Sequence, residues 1–289
     1  MSASATEVSC LYHKETGTAC FIAACPRTKA CAIIDSVLDY DQVAHKVSTK
    51  HASQVIAFVE EHHYQPVYII ETHVHADHLT GAQILKKRFP EAKTVIGFNV
   101  TEVQRTFASM LNLQDFPCDG SQFDKLMQDG EEYTLGDLAC RAIWTPGHTP
   151  ACMNHIIGDA VFSGDTVFMP DFGTARCDFP GGSADMLYDS IQKVFQLPAN
   201  YRVFVGHDYG LDSREAAWET TIAASRESNK HVHEGTVREE FVAWRKGRDA
   251  TLPLPKLIMQ SLQVNLRNGE LPPVEANGTS YFKVPVSFV

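Results

Sequence analysis

The chain has 289 residues, 44% of them hydrophobic, and a formal net charge of −10 at pH 7. That length can hold one large domain or two closely packed domains with a substantial core. The acidic balance argues against nucleic acid or an anionic membrane as the main partner, and no stretch approaches the roughly 20 apolar residues of a membrane span.

The N-terminal residues and the cysteines favour a cytoplasmic protein. Residues 1–7 have neither the basic and apolar pattern of a secretory signal nor the arginine-rich pattern of a transit peptide. The eight cysteines are scattered without a C-x-x-C pair, and without a secretory context we interpret them as free thiols. Cytoplasmic residence is therefore our default expectation.

Apolar runs and helical spacings alternate along the chain. Residues 19–24 and 30–34 form two apolar runs separated by a turn, which predicts an antiparallel hairpin. The other predicted elements are, in chain order, a helix at 52–63, a strand at 67–70, a helix at 82–89, a strand at 94–98, a helix at 100–111, a strand at 139–144, a hairpin at 153–168, a helix at 185–195 and a strand at 202–205. Ser183 is suited to cap the helix at 185–195. By itself this pattern indicates only an α/β or α+β fold.

The strand at 67–70 leads into a cluster of residue types that bind metals. Three histidines and one aspartate lie within six positions, in the pattern H-x-H-x-D-H: His73, His75, Asp77 and His78. Soft or borderline divalent metals favour such imidazole and carboxylate donors. Three distant partners follow other apolar runs, at expected strand ends: His148, Asp165 and His207. The seven residues together predict a site for one or two metal ions.

The order H-x-H-x-D-H, then H, D and H, resembles the metallo-β-lactamase superfamily. The resemblance implies an αββα fold, in which two mixed β-sheets stack face to face and helices cover both. We expect one such domain over residues 1–247, with halves at about 1–132 and 133–247 and the metal site between them. Residues 248–289 are rich in proline and asparagine, and we expect an extended segment packed on the same domain.

The ligand types alone leave two metal arrangements open. In a two-zinc arrangement, Asp165 bridges two ions and a bound hydroxide attacks a thioester or amide. The ligands of the two zinc ions would be His73, His75 and His148 for one, and Asp77, His78 and His207 for the other. In a one-iron arrangement, two histidines and one carboxylate occupy one face of a single Fe(II) and leave positions open for substrate and dioxygen.

The segment 164–182, together with 72–81 and 145–151, is similar to the persulfide dioxygenases, or sulfur dioxygenases, especially their longer bacterial-type members. The resemblance covers nearly the whole chain, including residues 272–278. It implies one Fe(II) per chain, held by His73, His148 and Asp165. The other four residues would be retained to orient these ligands by hydrogen bonds: His75, Asp77, His78 and His207. The implied reaction is oxidation of glutathione persulfide by O2 to sulfite and glutathione, a step in sulfide detoxification.

A glutathione substrate carries carboxylates, so an acidic protein needs a local cationic pocket for it. Arg176 is the first candidate, because a guanidinium can hold a carboxylate with two parallel hydrogen bonds. The equal alternative is that Arg176 pairs internally with Asp178 or Asp171. Tyr209 and Arg226 are further candidates, since we expect the segment after the last histidine to line the substrate groove.

Residues 174–178 differ from the Gly-Arg-Thr-Asp form of the shorter, mitochondrial-type persulfide dioxygenases. The substrate preference of those members therefore does not transfer directly. Within this stretch Cys177 is a candidate redox or pocket thiol, with packing as the favoured alternative. Unlike glyoxalase II, the chain shows no clear basic C-terminal segment for glutathione, and we expect Arg245, Lys246 and Arg248 to form a solvated helix end.

Other functions compete with the dioxygenase. The runner-up is a dinuclear hydrolase of a glutathione thioester, similar to glyoxalase II, with two Zn per chain, and a β-lactam or lactone hydrolase is third. A non-catalytic module of the same fold would usually have lost a ligand, whereas all seven residues are present. Members of the family are often dimers, but no apolar stripe in the sequence assigns an interface.

Overall fold

Residues 5–286 of the computed structural model form two six-stranded β-sheets, a small three-stranded sheet and seven helices. The strands are β1 (Glu7–His13), β2 (Thr18–Ala24), β3 (Ala30–Ile34), β4 (Val37–Asp41), β5 (Lys46–Ser48), β6 (Gln65–Ile70), β7 (Leu79–Thr80), β8 (Lys93–Gly97), β9 (Lys125–Met127), β10 (Glu132–Leu135), β11 (Leu138–Trp144), β12 (Met153–Ile157), β13 (Ala160–Gly164), β14 (Arg202–Val205) and β15 (Glu219–Thr221). The helices are α1 (Lys50–Glu61), α2 (Ala82–Arg88), α3 (Val100–Met110), α4 (Ala184–Phe195), α5 (Ile222–Ser228), α6 (Arg238–Asp249) and α7 (Ile258–Asn265). Within this described range, every helix is too short or too polar to cross a membrane.

Parallel pairing at the centre of each sheet brings strand ends together. The first sheet has the order β1-β2-β3-β6-β8-β9, and the pairs from β3 to β9 are parallel. The second sheet has the order β10-β11-β12-β13-β14-β15, in which β13 and β14 are parallel and the other pairs are antiparallel. The carboxyl ends of β3, β6 and β8 therefore share one edge of the first sheet, and those of β13 and β14 share one edge of the second.

Strand β2 shows how the sequence builds the layers. All seven of its residues are buried. Alternate side chains of a strand face opposite sides of the sheet, so both sides of β2 are covered. Phe21 faces the second sheet and packs in a core with Phe162. Ile22 faces the other way and packs in a core with Val55 of α1 and Leu85 of α2. A strand covered on both sides needs the continuous apolar run that predicted it.

Helix α4 covers the outer face of the second sheet. Its residue Val194 packs in a core with Val161 of β13 and Val203 of β14. Its first turn is capped as predicted, because Ser183 Oγ accepts a hydrogen bond from Met186 N at 3.3 Å. With α1 and α2 on the first sheet and α4 on the second, the predicted αββα sandwich is confirmed.

The hairpin predicted at 153–168 ends earlier, at the end of β13. Gly164 has a φ of +47°, and a Cβ at this position would lie 2.3 Å from Thr72 Oγ1. Only glycine combines this left-handed backbone with such close packing. The chain therefore leaves the sheet after Gly164, which turns Asp165 away from the sheet.

The sequence led us to expect an extended C-terminal segment, but this segment contains a helix. Helix α7 forms within it and buries Ile258 and Leu262 in a core with Val74 and Phe107. The apolar residues of α7 lie one helical turn apart, which explains why this stretch folds between the flanking prolines. We propose that residues 1–247 form one domain with halves 1–132 and 133–247, and that 248–289 packs on it.

Candidate metal centre

Four of the predicted ligands follow strand ends at the shared edge of the two sheets. His73 comes after β6, His148 after β11, Asp165 directly after β13 and His207 after β14. This is the edge of mixed sheets where loops carry binding and catalytic groups. The structure brings these four side chains together with the rest of the H-x-H-x-D-H run.

Backbone hydrogen bonds join the two sheets at this edge. Met153 N, at the start of β12, donates to Thr72 O in the loop after β6 at 2.9 Å. Ala19 N, in β2, donates to Gly206 O after β14, also at 2.9 Å. The loops from the two sheets are therefore held at a fixed separation before any side chain is considered.

His73, His148 and Asp165 form the first of two groups of donor atoms. Each offers one ligand atom, and these atoms lie within 4.8 Å of one another. Asp165 Oδ2 is 3.9 Å from His73 Nε2 and 3.6 Å from His148 Nε2. His73 Nε2 is buried and has no hydrogen-bond partner among residues 5–286. A buried polar atom without a partner is costly, and the two imidazoles and one carboxylate fit a divalent metal ion.

Hydrogen bonds fix the tautomers of both histidines in this group. Thr72 Oγ1 donates its proton to Asp35 Oδ2 at 2.8 Å, so it can only accept from His73 Nδ1, which lies 3.0 Å away. His148 Nδ1 donates to the carbonyl oxygen of Arg176 at 2.8 Å. With the proton on Nδ1, each neutral ring presents the Nε2 lone pair that a metal needs.

Asp35 supports the cluster and was missed by the sequence analysis. This buried carboxylate accepts from Thr72 N at 2.8 Å and from His75 Nε2 at 3.1 Å, as well as from the Thr72 hydroxyl. Its φ of 53° is in the left-handed region, which asparagine and aspartate tolerate better than other residues. A signal did exist, because Asp35 directly follows the apolar run 30–34, whose strand lies beside β6.

His75, Asp77 and His78 form a second group, whose ligand atoms also lie within 4.8 Å of one another. His75 Nε2 faces two buried carboxylates, Asp35 at 3.1 Å and Glu71 at 3.3 Å. Burial opposes a charge on His75, but these carboxylates outweigh it and raise the pKa of His75 to about 10. His75 Nδ1 and His78 Nε2 are buried without a hydrogen-bond partner within the described range.

His207 connects the two groups. Its Nδ1 donates to Asp165 Oδ1 and its Nε2 to Asp77 Oδ2, each at 2.7 Å. Burial disfavours the charged ring, yet the two carboxylates raise the pKa of His207 well above its ordinary value. Both ring nitrogens are therefore engaged, and the positive ring stabilises the carboxylate of Asp165 beside the first group.

A family model for the metallo-beta-lactamase superfamily matches residues 15–207, a span that contains all seven clustered residues. The chain belongs to the metallo-beta-lactamase superfamily. Its fold and its cluster of imidazole and carboxylate donors are thus those of a metal-binding enzyme superfamily.

Relatives within this superfamily carry different names. "Glyoxylase B2" of Dictyostelium discoideum is 51% identical over 95% of both chains. A "Beta-lactamase hydrolase-like protein" of Agrobacterium fabrum is 43% identical over 99% of this chain and 66% of that one. "Persulfide dioxygenase ETHE1, mitochondrial" of Bos taurus is 32% identical over 72% of this chain and 71% of that one. Among solved structures, ETHE1 from Myxococcus xanthus has a TM-score of 0.72 and 28% identity, over 91% of this chain and all of that one.

Tyr209 lies near the donor residues and is exposed to solvent. Its side chain is 59% exposed, and its ring lies 6.1 Å from the ring of His207 and 5.9 Å from that of Phe172. Arg214 holds the two loops together, since it bonds Asp171 at 2.6 Å and Asp208 at 2.8 Å. Tyr209 is therefore an exposed side chain beside His207.

Arg176 pairs internally. Its guanidinium makes two hydrogen bonds to Asp178, at 2.6 and 2.7 Å, and a third to Pro253 O at 2.7 Å. The guanidinium also lies over the ring of Phe179, 5.2 Å from its centroid. Of the two roles expected for Arg176, the structure shows the internal pair with Asp178, while its carbonyl orients His148.

Cys177 is packed between helices. It is buried with residues of α4 and α6, and its backbone N donates to Asp249 Oδ2 at 2.8 Å. Burial raises the pKa of the thiol, which disfavours the reactive thiolate.

Arg245, expected at a solvated helix end, is instead 97% buried and paired with Asp249. The reason is that α6 packs its last turn against the loop that contains Cys177.

The structure does not bring Arg226 to the cluster. It lies in the last turn of α5, where its carbonyl accepts a hydrogen bond from Glu234 N. Its guanidinium makes neither a hydrogen bond nor an ion pair with any residue from 5 to 286. The chain after His207 returns to the second sheet as β15 before α5 begins.

Proposed function

We propose that the protein is a glutathione persulfide dioxygenase with one Fe(II) per chain. The observation that carries the proposal is the group of His73, His148 and Asp165, in which Nδ1 of each histidine is hydrogen-bonded to an oxygen and Nε2 faces the group. Two histidines and one carboxylate on one face of a metal are typical of non-haem Fe(II) oxygenases. The likeness to persulfide dioxygenases in sequence and in structure supports the same function.

The proposed reaction converts glutathione persulfide anion, O2 and water into glutathione, sulfite and one proton. The terminal sulfur is oxidised and O2 is reduced, so no other oxidant is required. Bound Fe(II) would supply the redox-active centre on which the two substrates meet. The chain itself supplies three oriented donors, a charged His207 that stabilises the Asp165 carboxylate, and the exposed Tyr209 at the approach.

The substrate side of the proposal rests on fewer contacts. Tyr209 is the best placed of the three substrate candidates, because it is exposed beside His207. Arg176 would act by fixing the loop that faces His148, since its guanidinium is already bonded to Asp178. Arg226 remains a proposal without a contact to the cluster.

A specific observation favours a second candidate, a dinuclear zinc hydrolase of a glutathione thioester. His75, Asp77 and His78 form a second group of donor atoms beside the first, and His207 links Asp165 of the first group to Asp77 of the second. The relative named "Glyoxylase B2", at 51% identity, supports this alternative. Two zinc ions would then activate water for attack on the thioester.

The experiment is oxygen uptake by protein reconstituted anaerobically with Fe(II), on addition of glutathione persulfide. Sulfite and bound iron are measured in the same samples, and a glutathione thioester is tested with zinc-loaded protein. The test variant is His148→Ala. The matched control is His155→Ala, which also removes a buried histidine but one outside the cluster.

Uptake with sulfite and one iron per chain, lost in His148→Ala and retained in His155→Ala, is the expected result. Iron-loaded protein that consumes no oxygen, together with thioester hydrolysis by protein holding two zinc ions, would replace the dioxygenase by the hydrolase. Both metals are tested on the same preparation, so a poorly folded sample cannot imitate either outcome.

Location and assembly belong to the same proposal. The described structure has eight free cysteines, which suits the reducing cytoplasm that we propose as the site of action. We also propose a homodimer, on the resemblance to the persulfide dioxygenases alone. Neither nucleic acid nor a membrane is part of the proposed function, in keeping with the net charge of −10.

A further inference from the structure

The side chain of Asn265 reaches the metal-binding loop from the last helix of the chain. Asn265 ends α7 and is buried. Its Nδ2 donates to His75 O and to His78 O, each at 2.8 Å, and its Oδ1 accepts from Thr80 N at 2.9 Å. One amide therefore makes three hydrogen bonds to the backbone of residues 75–80.

These bonds satisfy backbone groups of a buried loop. The loop between β6 and β7 contains neither helix nor strand, yet His75 and His78 are almost fully buried. Buried carbonyl and N–H groups need hydrogen-bond partners, and a loop cannot supply them from its own ladder. The Asn265 amide takes this role, and an asparagine side chain has no donor left over once both carbonyls are bonded.

Apolar contacts from the same helix hold the residues between the ligands. Val74 and Ala76 occupy the two x positions of the H-x-H-x-D-H pattern. They pack in one cluster with Ile258 and Leu262 of α7. The loop is thus held by α7 both through its backbone and through its apolar side chains.

We propose that the C-terminal segment completes the metal centre, and that Asn265 is a positioning residue for the metal-binding loop. The family model ends at residue 207, so this support lies outside the part of the chain that identifies the superfamily. The carbonyls that Asn265 holds belong to the same residues whose rings form the second donor group. Fixing those peptide planes fixes the directions in which the rings of His75 and His78 leave the backbone. The inference is independent of the proposed reaction, because the loop that Asn265 holds carries His73 of the first donor group as well as His75 and His78 of the second.

The test compares Asn265→Asp with Asn268→Asp in the full-length protein. Both substitutions keep the size of the side chain and remove two amide donors from a buried site. Asn268, three residues further on, donates to Thr94 Oγ1 at 3.0 Å and Gln122 O at 2.9 Å, away from the metal loop. The metal-free proteins are titrated with Co(II), whose visible absorption reports affinity, stoichiometry and ligand geometry without any catalysed reaction.

Asn265→Asp should weaken Co(II) binding by about 10- to 100-fold, the usual effect of removing a group that orients metal ligands, and should change the visible spectrum. Asn268→Asp should lose thermal stability but keep the parent affinity and spectrum. If both variants are destabilised and both bind Co(II) like the parent protein, Asn265 is only structural and the proposal is wrong.

Asn265→Ser provides a second route in case the aspartate variant does not fold. Serine keeps one donor and leaves room for a bridging water, so this variant should fold more readily. We expect weaker Co(II) binding than in the parent and a smaller rise in melting temperature on metal addition. A serine variant with the parent affinity and the parent spectrum would overturn the proposal.

Discussion

The two donor groups of the cluster differ in what their histidines are bonded to. In the first group, His73 and His148 each bond a neutral oxygen, from Thr72 and from the Arg176 carbonyl. The second region comprises the second group and His207. There His75 faces two carboxylates and His207 bonds two more. A neutral partner leaves the ring uncharged and ready to bind a metal, whereas a pair of carboxylates stabilises a protonated ring.

In the proposed one-iron arrangement the first group holds the metal ion and the second region supports it. Charged His207 stabilises Asp165 as a carboxylate, and burial alone would otherwise raise the pKa of Asp165. Binding of a second ion by His75 and His207 would displace their protons, because a histidine binds a metal through a neutral ring.

Replacing a residue of the first group should have the largest effect. Asp165→Ala removes the only carboxylate of that group and leaves two buried imidazoles without it. We expect bound iron and oxygen uptake to fall by more than about 100-fold, beyond the range seen for groups that only orient ligands. Metal analysis after dialysis and oxygen uptake with glutathione persulfide measure the two losses. Full iron retention in Asp165→Ala would show that the first group is not the binding site.

Replacing a carboxylate of the second region should weaken binding without changing the number of ions. Asp77→Asn keeps the shape of the side chain but removes the charge that faces His207 at 2.7 Å. We expect a loss of about 10- to 100-fold in iron affinity, with one iron still bound at saturation. Titration followed by metal analysis gives both numbers. A fall from two ions to one would instead support the dinuclear hydrolase.

Asp35→Asn should have a smaller effect than either change, because Asp35 acts through Thr72 and His75. Asparagine tolerates the left-handed backbone at this position, so the main change is the lost charge and a donor in place of an acceptor. We expect iron affinity to fall by about 10-fold, and stability to fall by about 1–3 kcal/mol. Chelator competition and urea unfolding measure these values. Unchanged affinity would confine Asp35 to a structural role.

The clustering of the seven candidate donor residues could be predicted from the sequence for a physical reason, since each part of the set follows an apolar run that becomes a strand with its end at one shared edge. Asp35 follows β3 in the same way and could have been predicted with them. Asn265 could not be predicted, because it contacts His75 from 190 residues away. The burial of Arg245 could not be predicted either, because a charged run on a helix gives no sign that one of its members is buried by the loop at 174–177.

His155 lies outside the cluster. It is fully buried between the sheets, with Nδ1 3.0 Å from Tyr133 Oη. Its Nε2, like that of His73, has no hydrogen-bond partner among residues 5–286. His155 belongs to none of the three groups of potential metal ligands found among the described residues. An unpartnered ring nitrogen alone therefore does not indicate a metal site.

His155 therefore provides the smallest predicted effect on metal and a separate effect on acid stability. Burial lowers the pKa of His155 to about 4, below its ordinary value of 6.5. Between these values the unfolded chain takes up a proton that the folded protein does not, so stability is lost as the pH falls below about 6.5. From pH 7 to pH 5 this loss amounts to about 2 kcal/mol. Urea unfolding of His155→Asn at both pH values should show a pH dependence reduced by that amount, while iron content stays at the parent value. An unchanged pH dependence would mean that His155 titrates normally inside the fold, and a loss of iron would place it in the metal centre after all.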